Sequence, residues 1–301
     1  MLRVGFYLFL AAQALSHCEA QDALSMVQMP KMSLRTEEAR QSCLSFIHIP
    51  KTAGGSVEAA SLEAHGLMPK PDNLCWGGKP APESPLWGRC DFNVWKCANY
   101  SKSGTKQKRR PLCLVPHDVP ASAPETVRSL KLIDGCSPWH IPPAFEPSLA
   151  RYYSEQCDSF CVVRDPMQRL ISHMRMLHRF EQVCDPNKLE TLTRSFLDKL
   201  DLKEDCHGVP QVYYVFRDGN PNAQHICRNV LKYDELNQTF PRLMDTYGIT
   251  KVKSLPTLHG NNGHCTVRPT PATVKMVLEF YAQDYEAFGY EPPTNDTVIQ
   301  L

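Results

Sequence analysis

The sequence has no apolar run long enough to cross a bilayer. A helical span needs about 20 apolar residues, and the longest candidate, Val4 to Leu15 in the opening MLRVGFYLFLAAQALSHCEA, is about a dozen. Arg3 precedes it, and Cys18-Glu19-Ala20 follows as a small-residue cleavage site. That is the layout of a signal peptide over 1–20, with a short uncleaved anchor as the other reading. Net charge is nearly absent too: 33 basic side chains against 32 acidic ones leave +1. This balance argues against bulk nucleic-acid binding, so any anion recognition must be local. No internal repeat is visible. No Walker A sequence GxxxxGK[ST] is present, which disfavours a P-loop kinase. The pairs Cys90/Cys97 and Cys157/Cys161 do not form a CxxC set, which disfavours zinc and leaves no metal expected.

Cysteine, by contrast, is plentiful. The chain of 301 residues carries 13, and removing Cys18 with the signal leaves an even number. In an oxidising compartment this implies several disulfides, whose connectivity cannot be read from sequence. Sequons at Asn99, Asn237 and Asn295 fit the same secretory route, through the Golgi lumen or membrane or out of the cell.

Residues 21–40 read as a polar stem and 41–292 as one α/β domain, followed by a tail at 293–301. Cys43 to Ile49 is a short apolar run, the pattern of a buried strand, and it ends at Pro50. Val57 to His65 has good helix formers and stops at Gly66. Residues 69–111 are rich in Pro, Gly, Trp and Cys without periodicity, an irregular cysteine-stapled insertion. Its basic tail, SKSGTKQKRRP, is either a solvated loop or a contact for an acidic glycan. Leu112 to Val115 could form a strand and Pro124 to Ile133 a helix. Ser159 to Val163 is a second buried strand, running through Arg164-Asp165-Pro166 into a helix from Met167 to Phe180, with Asp165 as its cap. Further expectations are a helix over Leu189 to Leu200, a strand over Ile226 to Leu231 and a helix over Glu235 to Tyr247. One last helix from Thr270-Pro271 carries Val274, Val277, Leu278, Tyr281 and Tyr285 on one face. Strands alternating with helices imply a mainly parallel sheet.

Two motifs carry chemistry. In Phe46-Ile-His-Ile-Pro-Lys-Thr-Ala-Gly-Gly-Ser56 a strand runs into a small-residue loop that opens a helix. Backbone N–H groups and the helix dipole then converge on one spot, where an anion is the natural occupant. Lys51 adds a full charge there. In Cys161-Val-Val-Arg-Asp-Pro-Met-Gln-Arg-Leu-Ile-Ser-His173, Arg164 ends a strand and Ser172 lies about two turns into the next helix, so guanidinium and hydroxyl can grip a phosphate together.

Taken together, the two motifs resemble the 5′-phosphosulfate loop and the 3′-phosphate motif of sulfotransferases. They are similar to the membrane-bound and secretory carbohydrate group that includes heparan sulfate 2-O-sulfotransferase. Leu231-Lys-Tyr-Asp-Glu-Leu236 and Phe280-Tyr-Ala-Gln-Asp-Tyr-Glu-Ala-Phe-Gly-Tyr290 extend the resemblance, which covers residues 43–290; the insertion at 69–111 has no counterpart. The resemblance implies a P-loop-like three-layer sandwich and transfer of a sulfuryl group from 3′-phosphoadenosine-5′-phosphosulfate to a hydroxyl of a glycan or proteoglycan, without metal. Lys51 would neutralise the leaving 5′-phosphate oxygen. Thr52, Ala53, Gly54, Gly55 and Ser56 would hold the 5′-phosphate, and Arg164 and Ser172 the 3′-phosphate. By analogy with phosphoryl transfer, positioning and charge stabilisation would carry the catalysis. A catalytically inactive relative that binds glycans is the alternative.

A sugar hydroxyl also needs a base, and histidine titrates nearest neutral pH. His140, in the proline-flanked loop Ser137-Pro-Trp-His-Ile-Pro-Pro143, matches the interval where the related enzymes place theirs. His117, Asp118 and Glu146 are the alternatives. His48 reads as a core residue, and His173 and His178 as packing or surface residues.

Overall fold

The computed structural model describes residues 44–64, 87, 138–155, 157–202, 205–252, 254–256 and 265–300. The chain divides into units 1–34 and 35–301, and every described residue belongs to the second. The signal and stem, the insertion at 69–111 apart from Trp87, the strand at 112–115 and the helix at 124–133 lie outside the described residues, as do His117 and Asp118.

Three parallel strands lie in the order β1 (Leu44–Ile47), β2 (Asp158–Val163), β3 (Asn229–Lys232). Leu44 to Ile47 pair with Asp158 to Cys161, and Phe160 to Val163 with Asn229 to Lys232. Side chains alternate across a strand. Phe46, Phe160 and Val162 therefore enter one core with Val57, Ala60, Leu236 and Phe240, while Ile47, Ile49, Cys161 and Val163 enter another with Leu149, Tyr153, Val212 and Phe216. Both faces of the sheet are covered, which is why β1 and β2 read as unbroken apolar runs. Each fully buried large side chain in them contributes about 1.5–3 kcal/mol. Trp87 seals the first of these cores: its Nε1–H donates to the Leu44 carbonyl at 3.1 Å, and its ring packs edge-on to Phe160.

The helices are α1 (Gly54–Ala64), α2 (Pro147–Glu155), α3 (Pro166–Leu177), α4 (Pro186–Lys199), α5 (Leu236–Thr246), α6 (Pro271–Phe280) and α7 (Ala282–Phe288), with single turns at Pro138–His140, Phe180–Val183 and Val212–Val215. A short antiparallel pair joins β4 (Thr266–Val267) to β5 (Ile299–Gln300), with α6 and α7 between them in the chain. A third core joins Met167, Ile171 and Met174 of α3 to Leu189, Val274, Val277, Tyr281 and Tyr285.

Several expected boundaries move. Helix α1 starts at Gly54, three residues before Val57, because the Ser56 and Val57 N–H groups close onto the Ala53 carbonyl. Helix α3 stops at Leu177 and not at Phe180: His178 is extended, its N–H still bonded to Met174. Helix α4 begins at Pro186, where the Asp185 carboxylate accepts from the Asn187 and Lys188 N–H groups, a cap the sequence reading missed. The expected single helix from Thr270 to Tyr285 is two, α6 and α7, broken at Tyr281, although Val274, Val277, Tyr281 and Tyr285 do share one core.

Disulfides Cys161–Cys227 and Cys184–Cys265 close loops with sequence separations of 66 and 81. Restricting the unfolded chain in this way contributes about 4 kcal/mol each by the loop-entropy account. Cys157 and Cys206 are also disulfide-bonded. Sequon residues Asn237 and Asn295 are exposed. Among the described residues no helix is long and apolar enough to cross a membrane.

Candidate functional site

Both motifs lie where strands of one parallel sheet end, so neighbouring pairing carries their loops to the same edge. The loop after β1 is a tight turn in which Lys51 (φ 70°) and Ala53 (φ 77°) both adopt the left-handed region, on either side of Thr52. Side-chain-bearing residues enter that region at a cost of about 1–2 kcal/mol, and turns of this kind aim backbone N–H groups into an anion-binding concavity. Ala53→Gly should relieve one such position and raise the melting temperature by about 2–4 °C, the equivalent of about 1 kcal/mol in a domain of this size. Calorimetry reads the shift, and an unchanged or lower value would contradict the strained-loop account.

Thr52 is fully buried, and its hydroxyl donates to the Ile49 carbonyl at 2.8 Å. The Thr52 hydroxyl is thus engaged within the loop, which leaves only the backbone N–H to meet any anion bound there. Gly54 is glycine for a local reason. A Cβ there would overlap the His48 ring, which is held by an Nδ1–H···Oε1 bond of 2.8 Å to buried Glu58. Gly55 and Ser56 follow in the first turn of α1, both half-buried.

Arg164 meets this loop. Its Nη1 lies 3.5 Å from the Lys51 carbonyl oxygen, its Nε and Nη2 each lie 3.4 Å from Gln168 Oε1, and the guanidinium stacks 4.1 Å over the Tyr233 ring. Such cation–π stacking holds the fork in a fixed plane. The Asp165 side chain caps α3 through the Gln168 N–H at 2.8 Å. Ser172, half-buried, sits one turn beyond Gln168, and Arg175 follows three residues later, so Gln168, Ser172 and Arg175 share one stripe of α3.

The electrostatics are one-sided at the lysine. Burial pushes Lys51 below its ordinary value, and the charges of Arg164 and then Arg175 push it the same way. Arg164 is also lowered by burial, against the pull of Tyr233 and Asp234. Asp165 is raised by burial.

His140 ends a 3₁₀ turn with its ring edge-on to His48, centroids 4.5 Å apart, so the structure brings it beside the wall of the loop. His173 is 2% exposed, stacked on His207 and packed on Phe196. Burial first, then His207, pushes it down to about 3, so it is neutral throughout the physiological range. His178 is half-buried at the end of α3.

Sequence reasoning missed the residues that hold these loops together. Arg169, 2% exposed, donates from Nε to the Pro50 carbonyl (2.9 Å), from Nη1 to Val209 (2.9 Å) and from Nη2 to His207 (3.0 Å). Gln211 accepts from the Arg164 N–H at 2.9 Å and donates back to the Arg164 carbonyl at 2.8 Å. Its own N–H donates to Asp284, a fully buried carboxyl raised by that burial. The Tyr214 hydroxyl lies 2.9 Å from the carbonyls of both His140 and Cys206. One signal was available: Asp284 is a charge flanked at helical spacing by the aromatic Tyr281 and Phe288.

No family model, curated protein or solved structure matches the chain. Among the described residues no group of histidine, cysteine, aspartate and glutamate could hold a metal ion.

Proposed function

We propose that this protein is a sulfotransferase of the secretory pathway. It moves a sulfuryl group from 3′-phosphoadenosine-5′-phosphosulfate to a hydroxyl of a glycan or proteoglycan, on a P-loop-like sandwich scaffold. The observation that carries the reading is the meeting of Lys51 and Arg164 across adjacent strand ends, over a left-handed loop that opens a helix. One donor with two phosphates uses both halves. Its 5′-phosphosulfate lies on the Lys51–Ser56 loop, and its 3′-phosphate on the Arg164–Ser172 edge. Lys51 offsets the negative charge that grows on the bridging oxygen as the sulfur–oxygen bond breaks, which is where a fixed cation is worth most. The histidine group beside the loop, with His140 in it, supplies the base.

Calorimetric titration with 3′-phosphoadenosine-5′-phosphate, ADP and AMP tests the donor site, and labelled donor with a glycan panel tests the transfer. The 3′-phosphorylated nucleotide should bind at least about tenfold tighter than AMP, since charge-assisted bonds to the extra phosphate contribute about 1.5–3 kcal/mol. Arg164→Ala should weaken that binding by about 10–100-fold while leaving AMP affinity within a few-fold. Equal affinity for the two nucleotides would sink the assignment. Donor binding without transfer to any glycan would favour the inactive glycan-binding reading.

A further inference from the structure

Four imidazoles from four separate segments form a contiguous row. His48 meets His140 at 4.5 Å between centroids, His140 meets His207 at 5.1 Å, and His207 meets His173 at 5.0 Å. Two of them have a carboxylate at Nδ1, the arrangement that fixes the tautomer and leaves Nε2 as the basic nitrogen. In His48 that arrangement is closed off. Glu58 holds one side, Gly54 lies against Nε2 on the other, and the side chain is 7% exposed. His207 has the same anchor and stays open. Its Nδ1 lies 3.1 Å from Asp205 Oδ1, which also accepts its backbone N–H at 2.9 Å, and its side chain keeps 21% exposure.

The frame around His207 ties it to the donor loop. One guanidinium, that of Arg169, spans the carbonyls of His207 and of Pro50, the residue before Lys51. The Tyr214 hydroxyl joins the carbonyls of Cys206 and His140. Position along two chain segments is thus set by buried polar contacts that do not involve the imidazole itself.

We propose that His207, oriented by Asp205, is the proton acceptor of the transfer reaction, with His140 as the neighbouring wall of the same site. This rests on the sulfotransferase reading. The acceptor hydroxyl oxygen forms the new bond to sulfur. The bond from sulfur to the 5′-phosphate bridging oxygen breaks, and its electron pair passes to that oxygen beside Lys51. The hydroxyl proton goes to His207 Nε2, giving an imidazolium paired with the Asp205 carboxylate, and is released to solvent after the products leave. Burial raises the Asp205 carboxyl, but hydrogen bonds from the His207 ring and backbone outweigh it and hold the group below its ordinary value, so the anion is in place.

The groups facing His207 are Asp205 on its own loop, His173 from α3, His140 from the 3₁₀ turn, and Arg169 at its carbonyl, and the Lys51 charge also acts on His173. His173 stays neutral, so Asp205 is the dominant partner of an imidazolium at His207.

The experiment uses the full secreted chain with labelled donor, an acceptor from the panel and a separate titration with 3′-phosphoadenosine-5′-phosphate. His207→Ala should lower kcat by about 10²-fold or more, the scale of a lost general base, with nucleotide affinity within a few-fold. Added imidazole should restore part of the rate, which no packing role would allow. Asp205→Asn should lower kcat by about tenfold or more, with nucleotide affinity within a few-fold, because the ring loses its orienting partner. Near-native turnover in His207→Ala, with a large loss in His140→Ala, would overturn the dyad and make His140 the base. Lost turnover without imidazole rescue and with native turnover in Asp205→Asn would also overturn it. No transfer by the native chain would overturn the sulfotransferase reading itself, a result distinct from either.

Discussion

Lys51→Ala should lower kcat by about 10²–10³-fold, the usual effect of removing one preorganised charge from a transition state, while nucleotide affinity changes by only a few-fold. Single-turnover kinetics with labelled donor separate the two quantities. The asymmetry follows from when the charge is needed: the bound donor already meets the loop backbone and Arg164, whereas the leaving oxygen gains charge only as the bond to sulfur breaks. The pH dependence has a definite sign. Lys51 is lowered by burial and by Arg164 and Arg175, so the unfolded chain holds that proton more tightly than the folded one. Stability therefore rises with pH between the folded value and 10.5. Stabilising the leaving oxygen needs the charged form, so kcat should fall as pH climbs through the folded value, at a pH below that of an ordinary lysine. Lys51→Arg should remove this basic limb and keep part of the rate, because arginine does not deprotonate. An unchanged kcat in Lys51→Ala would remove Lys51 from the reaction.

Arg169→Ala should cost the fold more than any substitution in the donor loop. It deletes three charge-assisted bonds from one fully buried side chain and leaves the carbonyls of Pro50, Val209 and His207 without it. At about 1.5–3 kcal/mol per such bond, a loss of at least about 4 kcal/mol is expected, or about 10 °C in melting temperature. Nucleotide binding should fall with it, since Pro50 precedes Lys51. Arg169→Lys should recover less than half of the stability, as one ammonium cannot reach three diverging carbonyls. Denaturant unfolding at fixed pH measures both variants, and a loss under about 1 kcal/mol for Arg169→Ala would show that the loops hold themselves.

Much of the scaffold is legible because the physics is local. β1 and β2 are buried on both faces, so their apolar runs mark them directly. Asp165-Pro166 and Thr270-Pro271 announce helix starts through cap chemistry that acts within three residues. Errors arise where a distant partner decides. The strand expected over Ile226 to Leu231 is Asn229–Lys232, because the Ile226 and Cys227 N–H groups go to the Val215 carbonyl and the Ser159 hydroxyl donates to the Ile226 carbonyl. The break at Tyr281 has the same origin: its hydroxyl reaches the Gly208 carbonyl at 3.0 Å, across the core from its own helix.

By itself the sequence determined that apolar strands run into a lysine- and glycine-bearing loop and into an arginine that opens a helix. Those are nearest-neighbour facts, written in consecutive residues. Only the tertiary structure decided that Arg164 meets Lys51, that Arg169 joins three carbonyls, and that histidines 48, 140, 173 and 207 stand in one row. Parallel pairing of β1 with β2 places Ile47 opposite Cys161 although more than a hundred residues separate them. Register across such a gap is set by what both faces of the sheet bury together, and no local pattern in the chain encodes it.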